Sequence, residues 1–171
     1  MTRFLPYVTA LLMMFVVFPC QADDNSDYLV AKREAFREKY TKSIVAQGWK
    51  YFGNGALFKT AGNDWFIRDI RIRKGNIRSA WVLMSFYEKS IPWSTDTTPA
   101  SQSTKLQFWV NCADSGAQIR DAGKYSDPVG LGLQVTHAIS LPNSQPAEFK
   151  DPQPGSLTEA VLKAICSEHL K

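Results

Sequence analysis

The sequence has 171 residues, of which 44% are hydrophobic, 12% aromatic and 21% charged. This length and composition predict one folded domain and exclude an intrinsically disordered chain. Two histidines and three cysteines leave little material for a metal centre or a catalytic triad. A net charge of only +4 without a recognised binding motif argues against nucleic acid. We therefore expect no enzyme, no metal and no cofactor.

Residues 1–22 have the features of a secretory signal peptide. Arg3 supplies a positive start, residues 4–18 are apolar, and Ala22 is a small residue suited to the cleavage site. A membrane anchor is the weaker interpretation, because the apolar stretch is shorter than the roughly 20 residues that span a bilayer. We expect an exported chain cleaved after Ala22, in the periplasm or at the outer membrane and cell surface.

Cys20 offers an alternative to cleavage after Ala22, in which the exported chain is a lipoprotein. A cysteine that follows an apolar stretch can become the lipidated first residue of an exported bacterial protein. Small residues normally precede such a cysteine, whereas Phe18 and Pro19 stand there in this chain. We therefore expect contact with a membrane only if Cys20 is lipidated.

Cleavage after Ala22 leaves two cysteines, Cys112 and Cys166. In an oxidising compartment an even pair predicts one disulfide, and two unpaired buried thiols are the alternative. The cysteines are 54 residues apart, so the chain-entropy model gives about 4 kcal/mol of stabilisation for the bridge.

The first part of the mature chain predicts a helix followed by glycine turns. Apolar residues recur at helical spacing over residues 23–47, and Gly48 marks the end of the helix. Glycine and asparagine at residues 53–55 predict a tight turn in a short hairpin over residues 49–60. A second glycine turn is expected at residues 61–63.

The strongest pattern is a long hairpin in the middle of the chain. Residues 65–73 and 77–87 are rich in β-branched and aromatic side chains, and residues 74–76 form a glycine turn between them. Further strands are predicted at residues 105–113, 117–122 and 131–139. Residues 90–103 carry two prolines and many serines and threonines, which indicates a surface loop.

A second helix is predicted at the C-terminal end of the chain. Ser156 followed by Glu159 forms a capping box ahead of an apolar stripe. The expected fold is α+β, an antiparallel meander sheet of about five to six strands with both helices on one face. Residues 23–48 form the N-terminal helix of this arrangement and residues 49–171 a single domain.

Strict alternation along residues 65–73 predicts a basic and aromatic surface. One face would carry Phe66, Arg68, Ile70 and Ile72, and the other Trp65, Ile67, Asp69, Arg71 and Arg73. With the apolar faces inward, the candidate partner-binding residues are Arg71, Arg73, Arg78, Trp81, Lys105 and Trp109. Such a face suits an acidic protein or a polyanionic glycan. The alternative is that basic side chains only cover exposed aromatics by stem packing and cation–π contacts.

Six short elements, taken in order, resemble the surface-adhesin protein E-like family over about residues 63–168. They are Trp65…Ile67…Ile70, Lys74-Gly75-Asn76, Trp81-Val82-Leu83, Ser103…Lys105…Asn111-Cys112, Tyr125-Ser126…Gly130…Gly132 and Pro154-Gly155-Ser156…Ala164-Ile165-Cys166. The resemblance implies a small envelope domain of antiparallel sheet and helix whose best-known relatives bind host matrix and serum proteins. The N-terminal helix lies outside the resemblance.

Two functions from different classes remain open. The first is an adhesin-like domain that binds a protein partner, such as a host matrix or serum protein, through the basic face. The second is an accessory or structural periplasmic protein in which that face packs against another envelope protein or, as a homodimer, a second copy. A permanent interface is large and apolar, whereas a transient one is more polar and sensitive to salt.

Overall fold

The computed structural model describes residues 24–57, 61–89, 100–142 and 146–168. The predicted signal peptide, Cys20 and most of the predicted surface loop lie outside these ranges. The described chain contains a six-stranded sheet in the order β1 to β6 with every neighbouring pair antiparallel, which confirms the predicted meander. The strands are β1 (Lys50–Leu57), β2 (Ala61–Lys74), β3 (Ile77–Phe86), β4 (Ser103–Asn111), β5 (Gly116–Tyr125) and β6 (Gln134–Ser140).

The N-terminal helix is interrupted by one wider turn. Helix α1 (Asp24–Phe36) continues through a π-helical turn at Arg37–Thr41 into helix α2 (Lys42–Ala46). Gly48 follows with φ +83°, a left-handed conformation that glycine adopts without steric cost. The predicted end of the helix is therefore confirmed.

The predicted hairpin over residues 49–60 is wrong, because β1 runs straight through its glycines and pairs with β2. The glycines serve packing rather than a turn. A Cβ atom on Gly55 would lie 2.3 Å from Cζ2 of Trp65, and one on Gly62 would lie 2.4 Å from Cε2 of Tyr87. The second predicted turn, at residues 61–63, is accordingly also strand, since Ala61 begins β2.

The two helical segments pack on opposite faces of the sheet, so their predicted placement on one face is wrong. Helix α3 (Leu157–Ser167) buries Val161 and Ile165 against one core, which includes Val82 and Phe108. We call this side the C-terminal face. The physical reason for two covered faces is that β2 and β3 carry buried apolar residues on both sides.

A second core lies on the other side of the sheet, which we call the N-terminal face. Phe36 and Ile44 of the N-terminal helix pack there against Phe66 and Leu83. Trp49, which links the helix to β1, is buried in the same core. The helix that lies outside the family resemblance therefore completes the domain core.

Helix α3 is fixed at both ends. At its start the amide of Glu159 donates to Oγ of Ser156 at 3.2 Å, which confirms the predicted cap. Near its end Cys166 forms a disulfide with Cys112 of the segment that follows β4. The predicted bridge is thus present and ties the helix to the sheet. Within the described part of the chain, no helix has the length and apolarity needed to cross a membrane.

Candidate functional site

A β-bulge in β2 decides which side chains reach the N-terminal face. Arg68 pairs with Trp81 but Arg71 pairs with Ser79, so β2 has one extra residue there, and Asp69 takes φ +56°. An extra residue reverses the alternation of the side chains that follow it, here as far as a second register shift between Ile72 and Lys74. The predicted strict alternation is therefore wrong, and Ile70 packs on the C-terminal face.

The bulge places two arginines beside a tryptophan on the open part of the N-terminal face. Arg71 pairs with Ser79, and Ser79 and Trp81 lie on the same side of β3. An open pocket of about 200 Å³ forms at this point. Its lining includes Asp69, Arg71, Arg73, Ser79, Trp81 and Gln107. We call it the arginine pocket.

The charges of the arginine pocket are only weakly neutralised. Arg71 lies 3.8 Å from the carboxylate of Asp69, and Arg68 lies 3.5 Å from the same carboxylate. Arg73 uses Nε to donate to the hydroxyl of Ser79 at 2.7 Å. Because Asp69 is exposed and shared by two cations, the pocket keeps a positive character suited to an acidic group.

Trp109 lies beside the arginine pocket on the same face of the sheet, since it pairs with Ser79. The guanidinium carbon of Arg73 lies 5.6 Å from a Trp109 ring centroid and that of Arg120 lies 4.6 Å from it. Arg120 is buried and also donates to the carbonyl oxygens of Pro142 and Pro146. Arg120 therefore packs against the Trp109 ring and fixes its position.

Arg78 does not share this face with the other predicted partner-binding residues. It pairs with Ile72, beyond the bulge, and points to the C-terminal face. Its Nη1 donates to the carbonyl oxygens of Ile165 at 2.8 Å and Glu168 at 2.7 Å. These carbonyls lie at the C-terminal end of α3, where a cation is favourable. Arg78 therefore caps a helix and is left out of the candidate site.

Lys105 lies on the N-terminal face but outside the arginine pocket. Its Nζ is 4.6 Å from the ring centroid of Tyr125. Burial lowers the pKa of Lys105, the charge of Arg68 lowers it further, and Asp127 opposes the change. Lys105 is thus a packed cation at the border between the pocket and the segment that links β5 and β6.

The other end of the N-terminal face is closed by the N-terminal helix. Arg37 donates from Nε and Nη2 to the two carboxylate oxygens of Asp64 at 2.8 and 2.9 Å, and Tyr87 donates to the same carboxylate at 2.8 Å. The Asp64 side chain is only 1% exposed. This ion pair fixes the helix over one end of the sheet and leaves the arginine pocket uncovered.

Among the described residues, no three His, Cys, Asp or Glu side chains are placed to hold a metal ion. His137 instead lies 2.8 Å from Asp121 on the neighbouring strand. The second histidine, at position 169, lies outside the described ranges.

The family of the chain follows from its sequence. The family model for surface-adhesin protein E matches residues 49–167, about two-thirds of the chain. The chain belongs to the surface-adhesin protein E family. The matched segment includes the whole sheet, the arginine pocket and α3, whereas the N-terminal helix precedes it.

Solved structures give a distant likeness to Haemophilus influenzae protein E. Crystal form II of that protein shares 16% identity over 60% of this chain and 80% of its own, with a TM-score of 0.44. Another structure of protein E shares 16% identity over 60% and 76%, with a TM-score of 0.43. A search of curated proteins gave no match.

Proposed function

We propose that this chain is an exported, non-enzymatic envelope protein that binds an acidic segment of a protein partner in the arginine pocket. The observation that carries the proposal is the approach of Arg71 and Arg73 to Trp81 and Trp109 on the uncovered part of the N-terminal face. Arginine and tryptophan are the residues that contribute most often to binding energy at protein interfaces.

The chemistry of the pocket favours a carboxylate-bearing ligand. Guanidinium groups donate in pairs to carboxylates, and the neighbouring indole rings supply apolar area at low entropic cost. Family membership supports a partner outside the cell, such as a host matrix or serum protein. Surface display would require the outer membrane, and a cleaved form without a lipid would act in the periplasm.

The polar lining of the arginine pocket also argues against the alternative function, an accessory or structural periplasmic protein. A permanent envelope subunit would bury a large apolar patch, whereas the arginine pocket is small and lined mainly by charged and polar side chains. A homodimer through this pocket would bring like charges together. The geometry therefore favours a transient partner of opposite charge.

The test is binding of the purified mature domain to a panel of host matrix and serum proteins at several salt concentrations. The variant Arg71→Glu with Arg73→Glu reverses the charge of the pocket. The control, Lys124→Glu with Lys150→Glu, makes the same change in net charge at two exposed positions outside the pocket.

We expect at least one partner to bind the unchanged domain and the control, with an affinity that falls as salt rises. The Arg71 and Arg73 variant should bind about tenfold more weakly or worse, a loss of about 1.4 kcal/mol or more. Equal binding of this variant and the control at low salt would contradict the proposal. Circular dichroism establishes that each variant is folded.

A further inference from the structure

We propose that the loop over residues 126–133 is a preformed apolar anchor that inserts Leu131 and Leu133 into the same acidic protein partner. The inference rests on the proposed function and adds that the partner segment also carries large apolar residues. The loop joins β5 to β6. We call it the leucine loop.

The leucine loop is held in one shape by a single carboxylate. Oδ1 of Asp127 accepts from the amides of Val129 at 2.8 Å and Leu131 at 3.3 Å, and Oδ2 accepts from the amide of Gly132. The amide of Ser126 also donates to the carbonyl of Leu133 at 3.0 Å, which closes the loop. Three amide donors on one carboxylate fix the backbone of the residues that carry the leucines.

Two buried serines of the sheet attach the loop to the N-terminal face. Ser103 donates its hydroxyl to the carbonyl of Asp127 at 2.6 Å, and Ser85 donates to the carbonyl of Pro128 at 2.5 Å. Both serines are fully buried. Gly130 has φ +73°, and a Cβ there would lie 2.5 Å from Cε of Lys105. The loop thus packs tightly onto the sheet.

In spite of this fixation, the two leucines point away from the protein. Leu131 is 69% exposed and Leu133 is 74% exposed, the two highest values among the large exposed hydrophobic side chains of the described residues. A single exposed leucine needs no explanation. Two of them on a loop whose backbone is already ordered form an apolar contact for which little further entropy is lost on binding.

The position of the loop indicates its occupant. Lys105, which the loop contacts, lies on the same side of β4 as Gln107 of the arginine pocket, because alternate residues of a strand share a face. A partner seated in the pocket therefore extends along the face towards the leucines. Since the pocket selects acidic groups, the partner segment carries acidic residues together with apolar ones.

The experiment uses a random peptide library displayed on phage, selected on the mature domain. Selected peptides should be enriched in Asp and Glu and also in large apolar residues. Selection on the variant Leu131→Ser with Leu133→Ser should retain the acidic enrichment and lose the apolar one. The control is Ile72→Ser, an exposed apolar residue whose pairing with Arg78 places it on the opposite face.

The effect of the leucine substitutions is quantified by the affinity of one enriched peptide for the unchanged domain and for each variant. The double leucine variant should bind about tenfold more weakly or worse, since it no longer buries the two leucine side chains against the peptide, and Ile72→Ser should bind as the unchanged domain does. Acidic enrichment without apolar enrichment would overturn the leucine anchor and leave the proposed function standing. Absence of acidic enrichment would contradict the proposed function itself.

A lipid surface is the competing occupant. It is tested with vesicles of phosphatidylethanolamine and phosphatidylglycerol. The decisive result is that the unchanged domain binds these vesicles and that the leucine substitutions abolish this binding. It would assign the leucines to a membrane and overturn the anchor as proposed.

Discussion

The ion pair between Arg37 and Asp64 closes one end of the N-terminal face. We predict that its loss lowers the free energy of unfolding. The substitution Arg37→Met keeps most of the aliphatic stem and removes the guanidinium that donates twice to Asp64. Among the described residues, Tyr87 would then be the side chain that still donates to a carboxylate that is 1% exposed. A buried charge without its partner is strongly unfavourable.

The magnitude follows from the exposure of the two partners. Removing one member of a fully buried pair costs about 3–5 kcal/mol. The Arg37 side chain is 37% exposed, so water partly solvates the pair and the carboxylate that remains. We therefore expect a loss of about 2–3 kcal/mol in the free energy of unfolding.

Urea denaturation followed by tryptophan fluorescence measures this loss. The matched control is Lys42→Met, which removes one positive charge from an exposed position on the same helical segment and should change stability by less than about 0.5 kcal/mol. The combined variant Arg37→Met with Asp64→Asn should recover part of the loss, because no buried charge remains. Equal effects of Arg37→Met and Lys42→Met would refute the assignment of Asp64 as a buried anchor.

Two further predictions concern other parts of the fold. Replacing Cys112 and Cys166 with alanine should lower the free energy of unfolding by about 4 kcal/mol, as the 54-residue separation of the bridge implies; an unchanged urea midpoint would contradict it. Burial, the hydrogen bond to Asp64 and the charge of Asp64 raise the pKa of Tyr87 above its ordinary value of 10. The folded state thus keeps a proton that the unfolded chain releases, so stability should fall as pH rises above 10. This fall should be steeper in the unchanged domain than in Tyr87→Phe, and parallel profiles would contradict it.

Much of the sheet could be predicted because its signals are local. The glycine turn at residues 74–76 lies between two strands rich in β-branched residues, and the cap at Ser156 precedes an apolar stripe. The structure contains both elements where the sequence placed them. Local patterns of this kind need no knowledge of which elements pack together.

The errors arose where tertiary packing overrides the local pattern. Gly53 and Gly55 suit a turn, but they lie within a strand because the Trp65 ring covers them. The placement of both helices on one face failed for a related reason. Sheet residues on both sides of the long hairpin are apolar, and sequence alone does not assign each helix to a side.

The candidate site was predicted in composition but not in geometry. Strict alternation cannot reveal the bulge at Asp69, which brings Arg71 and Arg73 to the side of Trp81. Arg120 was missed because an arginine inside a strand looks like an exposed residue. Gln107 pairs with Asp121 and Phe108 pairs with Ile119, so Arg120 is an extra residue of β5 without a partner position on β4. This bulge places Arg120 against the Trp109 ring.

Nuclear magnetic resonance of the ¹⁵N-labelled domain, titrated with one acid-rich peptide from the library, tests the claim that the arginine pocket is the binding surface. We expect the indole resonances of Trp81 and Trp109 to shift together with side-chain signals of Arg71 and Arg73, and the indole of the buried Trp49 to stay unchanged. Shifts confined to α3 and the C-terminal face would contradict the claim.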